Sequence, residues 1–272
     1  VKRPRLVASD LDGTLLAPDG TVSPRTAAAW SRLPALGIES VLVTARPPRW
    51  LHPLQDIVGA HGLAICANGA FVYDVSNRTL LQSQGIERSL VCELVAELRA
   101  ELPGVGFAAE LADGLHMEDA YPDLHSQWVP ADAVRAPMDD LADSAVVGKL
   151  LARSMQVPEQ WFLDRVAELV GDRAVVSYSG AGGLAEIAAA GVTKASALAR
   201  WCTARGVDAA DVWAFGDMPN DLPMLRWAGT SYAMVNGHPD VRAAADHVCP
   251  SNAEDGVAQV LEGLQSSGPG RG

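Results

Sequence analysis

The chain has 272 residues, 49% hydrophobic and 20% charged, a balance that excludes a disordered chain and leaves room for one large domain or two moderate ones. With 33 acidic residues against 21 Lys and Arg, the formal net charge of -12 repels polyanions, so no nucleic-acid partner is expected. No apolar run reaches the roughly 18 residues of a spanning helix, and Cys66, Cys92, Cys202 and Cys249 lie far apart with no CxxC pair, so the expectations are no membrane partner, buried free thiols and a cytoplasmic setting.

The first apolar run, residues 5–8, predicts a strand that ends in Ser-Asp-Leu-Asp-Gly-Thr, a turn of residues that tolerate tight backbone. Ser23-Pro24 has the pattern of an N-cap followed by proline at the first helical position, and residues 27–36 are expected to carry that helix to a stop at Gly37. A second strand is predicted at 40–44, with Thr44 and Arg46 at its C-terminal end. A third covers 63–67, before Asn68-Gly69, and 71–74 with 79–82 form a hairpin. Strand and helix alternate, the grammar of a parallel sheet.

From residue 87 the texture changes. A helix over 87–101, strands at 105–110 and 114–118, a loop rich in Pro, Asp and Trp, a strand at 146–152, a helix at 158–170 and strands at 173–178 and 184–188 predict an α+β unit. After Gly191 the first pattern resumes with helix 194–205, strand 212–215, helix 219–227, strand 231–234 and a last helix over 254–264, before a Gly- and Ser-rich tail. The expected organisation is a discontinuous domain of 1–84 and 189–272 interrupted by an inserted α+β unit of 85–188, joined through connections near 82–87 and 188–191.

Three polar clusters fall at predicted C-terminal strand ends: Asp10 with Asp12, Thr44 with Arg46, and Gly216-Asp217 with Asn220-Asp221. In an open parallel sheet that edge binds ligands. Singly these residues have ordinary roles, Asp in a turn, Asn or Asp at a helix start, Lys on a solvated face. Together, four carboxylates at one edge require a cation, since two charges 4 Å apart repel by about 4 kcal/mol at a dielectric near 20. Oxygen donors without clustered His or Cys select a hard divalent ion, Mg2+, and Mg2+ suggests a phosphate substrate. Lys194, directly after Gly-Val-Thr at a helix start, supplies positive charge toward an anion.

In this order the segments resemble the four motifs of the haloacid dehalogenase superfamily of phosphatases: Asp-Leu-Asp-Gly-Thr at 10–14, Thr44 in Val-Thr-Ala-Arg, Lys194, and Gly-Asp-Met-Pro-Asn-Asp at 216–221. The 150 residues from Thr44 to Lys194, together with Asn68-Gly69-Ala70, make the chain similar to the Cof-type branch over essentially its whole length. Ala45 and Ala195 stand where the family usually has glycine. The resemblance implies an α/β fold, a Rossmannoid parallel-sheet core with an inserted α+β cap, and the activity of a phosphoric monoester hydrolase.

It further implies Asp10 as the nucleophile that forms an aspartyl-phosphate and Asp12 as general acid and base, its proton affinity raised by neighbouring carboxylates. Mg2+ would be held by Asp10, the Asp12 carbonyl, Asp217 and Asp221, and phosphate by Thr44, Lys194, Asn220 and Leu11. A cap limits the substrate to a small phosphorylated metabolite, such as a sugar phosphate or phosphorylated cofactor. Within it Glu110, His116, Glu118, Tyr121, His125 and Trp128 are candidate substrate contacts, and the loop 179–183 a candidate lip. Two alternatives use the same residues: a phosphotransferase or mutase, and a noncatalytic phosphometabolite sensor or receiver-like module.

Overall fold

The structure is a computed structural model that describes residues 2–55, 62–122, 124, 129–178 and 182–265. From the N-terminus it forms β1 (Leu6–Ser9), helix α1 (Pro24–Ser31), β2 (Glu39–Val43), β3 (Leu63–Cys66), β4 (Phe71–Asp74) and β5 (Thr79–Ser83). There follow α2 (Arg88–Glu101), β6 (Gly106–Leu111), β7 (Leu115–Met117), β8 (Val134–Arg135), β9 (Val147–Arg153), α3 (Glu159–Val170), β10 (Ala174–Ser177) and β11 (Leu184–Ala189). The remainder is α4 (Lys194–Ala204), β12 (Val212–Gly216), α5 (Leu222–Trp227), β13 (Thr230–Met234), α6 (Pro239–Ala244), β14 (His247–Cys249) and α7 (Gly256–Glu262).

The larger sheet runs β14-β13-β12-β1-β2-β3-β4-β5. Its strands are parallel from β14 to β3, and the β4–β5 hairpin closes one edge in antiparallel fashion. β1 lies at the centre, with Leu6 beside both Val212 and Glu39, and all four of its residues are buried. That burial follows from helices on both faces. Val7, Leu42 and Phe215 point to the side covered by Trp30 of α1 and Leu261 of α7, while Leu6, Ala8, Val41 and Ala214 point to Leu198 of α4 and Leu225 of α5. The α/β class expected from the alternating pattern is the one observed.

The smaller sheet runs β10-β11-β9-β6-β7-β8 and is antiparallel except between β7 and β8. One face packs Phe107, Leu150 and Ile187 against Leu94 and Leu98 of α2 and Phe162 and Val166 of α3. The other face carries Ala108, Leu115, Met117, Leu151 and Leu184. This α+β unit is inserted in the chain between β5 and α4 of the larger-sheet unit.

Where elements differ from expectation, local chemistry explains it. The helix expected to run through 27–36 ends at Ser31, because Pro34 has no N–H to continue the ladder; a single tight turn at Pro34–Leu36 follows and Gly37 closes it at φ 69. Ser23 caps α1 as expected, its Oγ accepting the Thr26 N–H at 3.0 Å. The last helix begins at Gly256, after a turn at Asn252–Glu254 and a left-handed Asp255. The short elements β8, α6 and β14 had no sequence signal of their own.

All four cysteines are free; Cys66, Cys202 and Cys249 are buried and Cys92 is half-buried, contrary to the expectation of four buried thiols. Among the described residues no helix is long and apolar enough to cross a membrane.

Candidate active site

The site is built where β1 and β12 end side by side. Asp10 follows β1, and its N–H donates to the Phe215 carbonyl at 3.0 Å. The chain then turns through Leu11–Leu15, anchored by the buried side chains of Leu11 and Leu15. Gly13 sits at φ 78, where a Cβ would lie 2.2 Å from Asp217 Oδ2, so only glycine lets this turn approach the end of β12. Thr14 Oγ1 donates to Asp217 Oδ1 at 2.9 Å, fixing that carboxylate from the other side.

Asp221 is fully buried. Its Oδ2 accepts the N–H groups of Asp217 at 3.1 Å and Met218 at 3.0 Å, and its Oδ1 accepts from Lys194 Nζ at 2.7 Å. Lys194 Nζ also donates to Asp10 Oδ1 at 2.6 Å. Lys194 is the first residue of α4, whose start is held by reciprocal bonds between Thr193 and Ser196. Carboxylate oxygens of Asp10, Asp217 and Asp221 lie within 4.8 Å of one another.

Burial pushes Asp10 well above the usual carboxylate range; Lys194 opposes this, while Asp221 and Asp217 add to it. Asp217 is pushed up to about 6, first by burial and then by Asp221, with the Thr14 bond and Lys194 working the other way. Burial works against the Lys194 ammonium, but Asp10 and Asp221 outweigh it and hold the group charged. One ammonium among three crowded carboxylates leaves negative charge uncompensated, and an oxygen-only donor set of this kind fits a hard divalent cation.

Asp12 stands apart from this cluster. The expectation that neighbouring carboxylates crowd it is corrected: its side chain is 60% exposed and is gripped by Arg46, Nε to Oδ2 at 2.8 Å and Nη2 to Oδ1 at 2.6 Å. The backbone of Asp12 is extended inside the turn, and its side chain meets Arg46 beyond the end of β2, at the wall of the cavity that Asp10 also lines. Thr44 is buried and lines the adjoining cavity; its Oγ1 accepts the Arg46 N–H at 3.1 Å, which leaves its hydroxyl proton to donate elsewhere. Asn220 also lines the cavity, donating to Asn68 Oδ1 at 3.3 Å, and its own Oδ1 is buried with no partner among the described residues. The Leu11 side chain belongs to the core, so only its main chain is available to a ligand.

The cavity, of about 210 Å³, lies between the larger sheet's C-terminal edge and the apolar face of the cap, a size that suits a small molecule rather than a protein segment. Of the candidate cap contacts, Glu110 and Tyr121 line it, Glu110 through an ion pair with Arg49. His116 instead bonds the carbonyls of Ala136 and Pro137 at 3.0 and 2.9 Å, and Glu118 binds Arg99 at 2.5 Å and the Met138 N–H at 3.2 Å; both hold the cap's own loops and neither lines the cavity. His125 and Trp128 lie outside the described residues, as does most of the loop 179–183.

Three further cavity residues, Lys149, Arg153 and Glu186, were not singled out from the sequence. Lys149 Nζ bonds Glu186 Oε1 at 2.5 Å and the Ala45 carbonyl at 2.8 Å, and Asn68 Nδ2 reaches Glu186 Oε2 at 3.3 Å. Their signal was present: charged residues inside the otherwise apolar strands Val-Gly-Lys-Leu-Leu-Ala-Arg and Leu-Ala-Glu-Ile-Ala-Ala.

Residues 7–261 match the family model of the haloacid dehalogenase-like hydrolases. The chain belongs to this family. Among its relatives is Pyridoxal phosphate phosphatase YbhA of Escherichia coli (strain K12), 28% identical over 94% of this chain and 97% of that protein. Another is 5-amino-6-(5-phospho-D-ribitylamino)uracil phosphatase YitU of Bacillus subtilis (strain 168), 30% identical over 96% of this chain and 97% of that protein. The solved structure of a haloacid dehalogenase-like hydrolase from B. subtilis covers 96% of this chain and 99% of its own with a TM-score of 0.82 at 22% identity, which supports the fold. The expected family, fold and enzyme class therefore stand: an α/β hydrolase of the haloacid dehalogenase type, with named phosphatases among its relatives.

Proposed function

We propose that the chain is a Mg2+-dependent phosphatase of a small phosphorylated metabolite that works through an aspartyl-phosphate. The observation that carries this reading is the buried juxtaposition of Asp10, Asp217 and Asp221 around Lys194 beside the cavity. A carboxylate oxygen of Asp10 attacks phosphorus, the bond from phosphorus to the alcohol oxygen breaks, and Asp12, protonated and turned from Arg46 toward the leaving group in the substrate complex, gives that oxygen its proton. Asp12, now ionised, takes a proton from water, whose oxygen attacks the same phosphorus; the acyl-phosphate bond breaks, releasing phosphate and restoring Asp10. Thr44 and Lys194 hold the phosphoryl oxygens, with the Leu11 main chain and Asn220 beside them.

Asp10, Asp217 and the Asp12 carbonyl would hold Mg2+, and Asp221 would support them, since both its oxygens are engaged by Lys194 and two main-chain N–H groups. When bound, Mg2+ neutralises charge between carboxylate and phosphate. The core of 1–84 and 189–272 and the cap of 85–188 would act as two units hinged near 82–87 and 188–191, enclosing a metabolite between them. The substrates in the relatives' names, pyridoxal phosphate and a phosphoribitylaminouracil, support a small phosphorylated cofactor or precursor. Four free thiols support a reducing, cytoplasmic setting.

The test is phosphate release from a panel of phosphorylated sugars, nucleotides and vitamin cofactors, with Mg2+ or with chelator, for wild type and Asp10→Asn. Mg2+-dependent release that disappears in Asp10→Asn is expected. Release that survives the substitution would overturn the nucleophile assignment, and no release from any compound would overturn the phosphatase reading.

A further inference from the structure

We propose that Arg153 is a specificity-determining residue that pairs with a second anionic oxygen on the substrate's leaving group, a proposal that rests on the phosphatase reading and narrows its substrate class. Arg153 ends β9 and is 1% exposed, among the largest fully buried side chains, yet it lines the cavity shared with Asp10 and Lys194. Its polar contact among the described residues is one bond from Nη1 to the Pro122 carbonyl at 3.2 Å; Nε is buried with no partner, and the guanidinium sits 5.9 Å from the Tyr121 ring.

Every other cation lining the cavity has a carboxylate. Lys194 has Asp10 and Asp221, Lys149 has Glu186, Arg46 has Asp12 and Arg49 has Glu110. Arg153 has none among the described residues, in a chain with 33 acidic side chains. A guanidinium stays charged at any physiological pH, and a buried, unpaired charge is costly enough to demand a partner. The cavity is where that partner can arrive, so the ligand supplies the anion.

The surroundings describe the rest of the leaving group. Leu115, Met117, Leu151 and Leu184 form an apolar wall beside Arg153 and Tyr121. Such a wall excludes water, strengthens a charge pair within it and favours a flat or apolar body. The substrate class is a phosphomonoester whose alcohol is a largely apolar, ring-like body with a carboxylate or phenolate oxygen away from the phosphate. A neutral polyhydroxylated sugar phosphate would leave Arg153 unpaired and its own hydroxyls against hydrocarbon.

The experiment compares kcat/KM for benzyl phosphate, 4-carboxybenzyl phosphate and pyridoxal 5′-phosphate in wild type, Arg153→Met and Arg153→Lys. The readout is the ratio of each anion-bearing substrate to benzyl phosphate, which is independent of the fraction of active protein. Wild type is expected to favour the anion-bearing probes by about tenfold to a hundredfold. Arg153→Met should bring the ratio close to one and Arg153→Lys should lie between. A wild-type ratio near one, or a ratio that Arg153→Met leaves unchanged, overturns the proposal. Calorimetric binding of benzylphosphonate and 4-carboxybenzylphosphonate separates it from the parent reading. Carboxylate-preferring binding without turnover of any substrate sinks the phosphatase reading and keeps the Arg153 assignment. Turnover without that preference does the reverse.

Discussion

Lys194 compensates two buried carboxylates at once, so its loss is expected to be felt in stability as well as in turnover. Lys194→Met strands Asp10 and Asp221 in a buried site, and a loss of about 3–5 kcal/mol is expected in urea titration of the metal-free protein. Unchanged stability would mean that the three side chains do not form the network described. Asp217 gives a second prediction, one of sign. Its folded pKa of about 6 lies above its unfolded value, so the folded state binds the extra proton and stability from this group falls as pH rises from about 4 through 6. In the metal-free protein the difference in Tm between wild type and Asp217→Asn should therefore move against wild type across that window, and saturating Mg2+ should abolish the movement. Parallel Tm curves would contradict it. The identities of these residues were legible in the sequence because, although each alone has an ordinary role, four carboxylates and a lysine gathered at predicted strand and helix ends need a cation and an anion to balance them. The Arg46 grip on Asp12 was not, since it joins residues 34 apart whose side-chain directions depend on the turn between them.

Among the elements, the buried parallel strands β1, β2, β3, β12 and β13 were readable as short apolar runs because helices cover both sheet faces and no alternation is required. The elements without a signal were those with little burial: both residues of β8 are exposed, as are His247 and Val248 of β14. The tight turn at Ala67–Gly69 has a structural task that its sequence only hints at. Gly69 adopts φ 106, and a Cβ there would lie 2.4 Å from the Thr193 carbonyl, at the cap of the helix that begins with Lys194. Gly69→Ala is expected to cost about 1–3 kcal/mol from backbone strain alone. It should also lower phosphate release in the fraction that remains folded, because the start of α4 must shift. Full specific activity after correction for folded fraction would show that α4 is not positioned by this contact.

At the scale of the molecule, the cap is tied to the larger-sheet unit by polar contacts at the cavity rim: Arg49 with Glu110, Lys149 with the Ala45 carbonyl, and Asn68 with Ser177 and Glu186. Lys149→Met leaves Glu186 buried without its cation and is expected to destabilise by about 3–5 kcal/mol, whereas Lys149→Met with Glu186→Leu should recover most of that loss, because a buried ion pair adds little over a packed apolar pair. The double variant lacks the tie to Ala45, so its KM for any turned-over phosphate ester should rise. Urea titration and steady-state kinetics on the two variants check both halves. A double variant as unstable as the single one, or one with an unchanged KM, would show that Lys149 does not serve as this link.

Local signals carried by residues close in sequence, the DLDGT turn, the caps at Ser23 and Thr193 and the apolar strands, were determined by the sequence alone, because each depends on the chemistry of a few neighbouring residues. What the tertiary structure decided is which charges meet. Lys149 finds Glu186 across 37 residues, Asn68 finds Glu186 across 118, and Arg153 finds no carboxylate among the described residues. Those outcomes depend on strand order and on the cap folding back over the sheet edge, geometry that no local pattern encodes.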